Sequence, residues 1–135
     1  MNGRGAIENT LAAWALGYDE REPERMAACF TEDAVMTMDI AGDEQMGPFV
    51  GHAEVMGLFT EHHGIQTDQR RHVVTNVVID DPTDEGVPVT SYLTLLVTND
   101  GELRAQATGV YRDVFVERDG RWLISRRHLY LDRHY

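Results

Sequence analysis

Apolar residues recur at helical spacing from the start of the chain. Ile7, Leu11, Trp14 and Tyr18 form one stripe, with Ala15 and Asp19 on its flank. The stripe stops at Asp19-Glu20-Arg21-Glu22-Pro23, because the residue before a proline is steered away from helix. Pro23 suits the first turn of a second, short helix that turns Met26, Ala27 and Phe30 inward. Residues 34–38 read as a strand, and Val55, Leu58, Phe59 and His62 mark a third helix opening near Gly51. The period then changes. Residues 72–79, 87–97, 103–116 and 122–131 are rich in Val, Tyr, Thr and Leu and read as strands. Turn signals separate them, among them Asp100-Gly101 and Asp119-Gly120, which take up the positive dihedrals of tight hairpins. Helices first and an antiparallel meander afterwards make an α+β domain. No repeat, linker or low-complexity tract divides residues 1–135, which are expected to form a single domain.

A two-residue turn at Asp100-Gly101 sets Tyr92 opposite Gly109, Thr94 opposite Ala107 and Thr90 opposite Tyr111. Those positions share one face, and the small residues among them predict a cavity under the helices. Leu93, Leu95, Val97, Val110 and Val114 then fall on the other face. A face that apolar needs a cover, and a second copy of the chain is the expected one.

Charge narrows the function classes. The chain carries 23 acidic and 12 basic residues, a formal net charge of −11, which argues against a nucleic-acid groove or an anionic membrane surface. Every basic residue is Arg, so Schiff-base and pyridoxal chemistry, which need a lysine, are excluded. Cys29 is alone among apolar neighbours and reads as a small buried hydrophobe. The N-terminus lacks a signal-peptide run and no segment reaches the ~20 apolar residues of a membrane span, so a cytoplasmic protein is expected.

Six histidines, His52, His62, His63, His72, His128 and His134, show no compact metal-ligand spacing, and no metal or organic cofactor is expected. His62 and His63 suit the end of the third helix. His72 opens a long strand and shares a face with Val74, Asn76 and Val78, which aims its ring inward. Asp19, at the rim of the first helix's apolar stripe, needs a partner, because an unpaired buried charge is costly. An imidazole at the mouth of a strand is a natural one, and the pair would make a general base. Asp33, in Thr31-Glu32-Asp33, reads as ordering a turn.

Phe30-Thr31-Glu32-Asp33-Ala34-Val35, Gly51-His52-Ala53-Glu54-Val55 and the ending from Tyr111 to Trp122 resemble the SnoaL-like, nuclear-transport-factor-2-like superfamily. The likeness runs over nearly the whole chain and is nearest the branch of scytalone dehydratase and hexachlorocyclohexane dehydrochlorinase. It implies a cone-shaped α+β barrel, three N-terminal helices on a curved antiparallel sheet, and elimination without a cofactor. It places the catalytic dyad on Asp19 and His72, with Tyr18 matching the dehydratase's Tyr-Asp pair and Arg127 matching the dehydrochlorinase's pocket arginine. The dehydratase's second pocket tyrosine falls near Met38, a departure. The implied pocket lining is Trp14, Met36, Met38, Phe59, Asn76, Tyr92, Thr94, Ala107, Gly109, Tyr111 and Leu129. A two-residue Asp119-Gly120 turn sets Tyr111 opposite His128 and turns Arg127 outward, whereas a three-residue loop sets Tyr111 opposite Arg127; both registers stay open.

Two functions follow as expectations. One is a cofactor-independent lyase, cyclase or isomerase acting on a small, largely apolar, polyketide- or terpenoid-like compound. His72 would take a proton, Asp19 would orient it, and Tyr18, Tyr92 or Arg127 would donate hydrogen bonds where negative charge grows. The other is a non-catalytic ligand-binding or assembly module of the same fold. The partners expected are a small molecule and a second copy, in a homodimer or higher homo-oligomer.

Overall fold

The computed structural model describes residues 3–42 and 44–135. Among the described residues the order is α1 (Gly3–Asp19), α2 (Pro23–Ala27), β1 (Phe30–Ile40), β2 (Glu44–Val50), α3 (His52–Ile65), β3 (Gln69–Ile79), β4 (Val87–Asn99), β5 (Glu102–Arg118) and β6 (Arg121–Leu131). The helices follow their stripes. α1 buries Ile7, Leu11, Trp14, Ala15 and Tyr18, and α3 buries Val55, Leu58, Phe59 and His62. Pro23 stands in the first turn of α2, where its missing N–H costs nothing.

The strands form one sheet in the order β2-β1-β6-β5-β4-β3. The architecture is α+β, with α1 packed on β3 and β6 and α3 on β1 and β2. Three helices on one curved sheet agree with the expected cone-shaped α+β fold, and two details of the sheet differ from the expectation. β1 runs parallel to β6, making the sheet mixed, and the edges β2 and β3 remain unpaired, so the sheet does not close into a barrel. β2 itself has no counterpart in the sequence reading. Its half-exposed pattern around Gly47-Pro48 carries neither period clearly.

Both hairpin turns hold two residues: Asn99 pairs with Glu102, as expected, and Arg118 with Arg121, which decides between the two loops left open for Asp119-Gly120. The registers beyond them differ, because each hairpin contains a bulge. Gln106 is the extra residue between Leu96↔Ala105 and Leu95↔Ala107, and Ser125 is the extra one between Phe115↔Ile124 and Val114↔Arg126. A one-residue slip moves every later side chain to the other face. β4 alternates without a break, and the bulge sets Leu95 and Leu93 opposite Ala107 and Gly109, so Leu93, Leu95 and Val97 lie in the core and are not the surface expected to meet a second copy. Tyr92 is exposed instead, at 52%.

The core sits between the helices and the sheet. Trp14 lies at its centre, edge-on to Phe59 and Tyr111 with centroids 5.3 and 6.2 Å away. A truncation to Ala there is expected to cost about 3–5 kcal/mol. Cys29 is buried, its Sγ against the Arg25 carbonyl, and burial pushes its thiol up to about 11, away from reactivity.

Candidate active site

The C-terminal residue of α1 and the inward face of β3 build the centre of the site. Asp19 accepts two hydrogen bonds from one residue, the His72 backbone N–H at 2.8 Å and the His72 ring Nδ1–H at 2.6 Å. Both side chains are over nine-tenths buried. A carboxylate only accepts, so Nδ1 carries the proton and Nε2, across the ring, holds the free lone pair. Trp14 stands edge-on to the imidazole at 5.4 Å and Tyr18 lies at 4.6 Å, which fixes the ring between two aromatic walls.

His72 opens onto a cavity of about 40 Å³, lined by Trp14, Tyr18, Met36, Met38, Leu58, Phe59, Leu93, Leu95, Tyr111, Leu129 and Leu131, with Arg70, His62 and Tyr135 as its remaining polar members. Trp14 and Phe59 occupy much of the space that the sequence left for a larger hollow. Asp19 and His72 also border a groove between α1 and β3, so the dyad forms the wall between cavity and surface. A broader hollow of about 830 Å³ lies beside α1, α2 and β6, among Thr10, Pro23, Arg25 and Trp122. It contains neither Asp19 nor His72.

Of the residues the sequence nominated, the structure gathers Trp14, Tyr18, Met36, Met38, Phe59, His72, Tyr111 and Leu129 around this cavity, with Asp19 behind His72. Others fall elsewhere. Tyr92 and Thr94 lie on the outward face because of the Gln106 bulge. Asn76 is exposed at a φ of 56° where β3 itself bulges, so the expected run His72, Val74, Asn76, Val78 breaks after Val74 and leaves Val78 55% exposed. Ala107 is buried on the inward face without lining the cavity. Gly109 makes room for a strand rather than a ligand: a Cβ there would run into the Tyr130 carbonyl. Asp33 stands in β1 and pairs with Arg118 at 3.1 Å instead of ordering a turn.

Arg127 faces inward, opposite Asp113 rather than Tyr111, so neither expected register holds; Tyr111 faces Leu129. Asp113 takes Nε and Nη2 at 2.8 and 3.0 Å, both side chains are almost wholly buried, and the guanidinium lies over the Tyr111 and Trp14 rings at 4.0 and 4.9 Å. Burial pushes the Asp113 carboxyl up and the Arg127 charge opposes it. Arg127 is thus clamped beneath the cavity wall and not among the residues lining the cavity.

The donors left for a ligand follow from the remaining bonds. The Tyr18 hydroxyl donates to Gln66 Oε1 at 2.6 Å. The Tyr111 hydroxyl and Trp14 Nε1 are buried without a partner among the described residues. Burial raises both tyrosines far above the ordinary phenol range, so each keeps its proton. Leu58, His62, Arg70, Leu93, Leu95, Leu131 and Tyr135 were not nominated by the sequence. The two leucines of β4 follow from the bulge, and Arg70 could have been found as the residue two before His72, on the same strand face. Among the described residues no three His, Cys, Asp or Glu side chains gather as metal ligands, and no helix is long and apolar enough to cross a membrane.

Comparison with known proteins agrees with this fold. The family model of the SnoaL-like domain matches residues 1–128. Among solved structures, a Catenulispora acidiphila protein in complex with S-DNPA is 28% identical, with a TM-score of 0.80 over 96% of this chain and 92% of that one. ActVI-ORFA of Streptomyces coelicolor is 21% identical, with a TM-score of 0.82 and 96% of each chain covered. An NTF2-like protein with a cystatin-like fold from Novosphingobium aromaticivorans is 16% identical, with a TM-score of 0.78 over 95% of this chain and 80% of that one. Among curated proteins none matches.

Proposed function

The chain belongs to the SnoaL-like family, which includes cofactor-independent cyclases, isomerases and dehydratases, and from that premise we propose that His72 is the general base of such an enzyme. The observation that carries the reading is the double hold of Asp19 on His72, through backbone and ring, which leaves Nε2 as the free lone pair at the cavity. The substrate is a small, largely apolar, polyketide- or terpenoid-like ring bearing a carbonyl or hydroxyl group. Nε2 takes a proton from the carbon beside the carbonyl, the C–H electron pair forms an enolate with its charge on the carbonyl oxygen, and a hydroxyl on the β-carbon, where present, is the group this enolate expels. Asp19 acts as the positioning residue and balances the imidazolium that forms. The Tyr111 hydroxyl, buried and without another partner, donates to the oxygen where charge develops. The imidazolium then returns its proton to a leaving hydroxyl, giving elimination, or to another carbon, giving isomerisation.

Hydrogen–deuterium exchange beside the carbonyl of small cyclic ketones and polyketide fragments tests this reading. His72→Ala is expected to lose about 10²-fold or more of the exchange rate. Asp19→Asn is expected to lose much of it, and the double variant to be little worse than His72→Ala alone, because the pair acts as a unit. Undiminished exchange in His72→Ala would sink the reading. The cavity's small size, about 40 Å³, favours the second reading, a non-catalytic binding or assembly module, which would then take its place.

A further inference from the structure

Arg70 lies two residues before His72 on β3, and both line the cavity. Its residual exposure is 9%, part of it at Nη1, so that end of the fork is hydrated and open to a ligand oxygen. Asp68 partners only the rest of the fork, accepting from Nε at 2.9 Å and Nη2 at 3.4 Å. No partner among the described residues takes the Nη1 hydrogens. The neighbouring polar groups are already matched: Tyr135 Oη and His62 Nε2 bond each other at 2.6 Å, and the Tyr18 hydroxyl is held by Gln66. Arg70 is therefore the donor at this end of the cavity with capacity to spare.

The charges around it decide what it suits. Asp68 accepts from the Arg70 guanidinium and Asp19 is bound to His72, so each carboxylate already has its partner. Burial lowers His62 and raises Tyr18 and Tyr135, so all three are uncharged near neutral pH. A carboxylate ligand would add a further, uncompensated negative charge in a chain already at −11. An uncharged oxygen adds none, and an arginine half-neutralised by Asp68 remains a strong hydrogen-bond donor. As same-face neighbours on one strand, with Cα atoms roughly 7 Å apart, the Arg70 and His72 side chains enter the cavity side by side.

We propose that Arg70 anchors an uncharged oxygen, a carbonyl or phenolic one, on the side of the substrate ring opposite the carbon facing His72. The proposal rests on the reading of His72 as the base and narrows it to rings carrying two oxygens on opposite sides. Arg70 is then a specificity-determining residue.

The test uses three matched rings and the full chain: cyclohexanone, cyclohexane-1,4-dione and 4-oxocyclohexanecarboxylate, titrated by ligand-observed NMR. The dione is expected to bind about tenfold more tightly than cyclohexanone, and the carboxylate no more tightly than cyclohexanone. Arg70→Met should bring dione and ketone level. Asp68→Asn, which frees the guanidinium, should move the carboxylate to first place. His72→Ala should keep the wild-type ranking, because the anchor does not depend on the base. Exchange beside the carbonyl, followed in the same samples, reads the base separately: the ranking without exchange would overturn the role of His72 and leave the anchor standing. Equal binding of ketone and dione, a folded Arg70→Met that keeps the preference, or a carboxylate ranked first by the wild type would overturn the anchor. If Arg70→Met does not fold, the Asp68→Asn reversal decides: a carboxylate that gains nothing there also overturns it.

Discussion

Asp113 and Arg127 keep almost no solvent contact, and neither could have been buried alone. Two parallel N–H···O bonds at 2.8 and 3.0 Å compensate the lost water, and two aromatic faces close over the cation. The pair also holds the Tyr111 ring in place, so it reaches the cavity through that tyrosine rather than through its own charge. Breaking it from one side should be far worse than replacing it. Asp113→Ala or Arg127→Met alone is expected to cost about 3–5 kcal/mol, since each leaves a buried charge unpaired, whereas Asp113→Leu with Arg127→Met should fall near neutral. Urea denaturation of the three variants checks this. Additive losses in the double variant would mean that the two residues do not act as a pair. Nothing in the sequence marks Asp113, because an Asp in a strand usually faces water and only its register opposite Arg127 gives it a partner.

At the scale of elements, the last turn of α3 is tied to the C-terminal residue through His62 Nε2 and the Tyr135 hydroxyl, with the two rings 4.9 Å apart. Burial lowers the His62 pKa below its ordinary 6.5, the charges of Arg70, His63 and His134 reinforce this, and Glu61 opposes it. The unfolded chain therefore takes up this proton first, so the stability from neutral His62 is full above pH 6.5 and drains away as the pH falls through the folded value. NMR titration is expected to place His62 below 6.5, with hydrogen exchange of the C-terminal residues rising over the same range; titration at or above 6.5 would contradict it. The elements themselves were largely legible, since stripes and Asp-Gly turns are local signals. The bulges at Gln106, Ser125 and Asn76 were not. Each satisfies strand bending across the sheet, a non-local need that leaves no composition signature, and each reverses which side chains face inward. The site divides in the same way. Asp19 and His72 stand before any bulge in their elements and were readable, whereas Asn76 sits within one and the partners of Tyr92 and Thr94 are shifted by the Gln106 bulge of the neighbouring strand. Tyr135 follows the last strand, where no period places a side chain.

For the whole molecule, the bulges move the apolar surface without removing it. Once Leu93, Leu95 and Val97 turn inward, the outward face of the sheet is left with Val73, Tyr92 and Tyr130, which are 39%, 52% and 38% exposed, alongside the half-buried Leu96, Val110 and Val114. Arg112 and Arg126 project from the same side, opposite His128 and beside Val114 in the ladder. A chain with 23 carboxylates thus presents one sheet face poor in them, where a second copy can approach without bringing acidic residues together. We propose that a homodimer forms through this face, with Tyr92 near its middle as the aromatic anchor. Sedimentation equilibrium at micromolar concentration should give about twice the 15.3 kDa of one chain. Tyr92→Glu, at a half-exposed position whose side chain leaves the core untouched, should shift the protein to monomer with its circular dichroism unchanged. Leu103→Glu, more exposed and close to the hairpin tip, should leave the dimer intact. A wild-type monomer at that concentration, or a dimer indifferent to Tyr92→Glu, would refute this face as the interface.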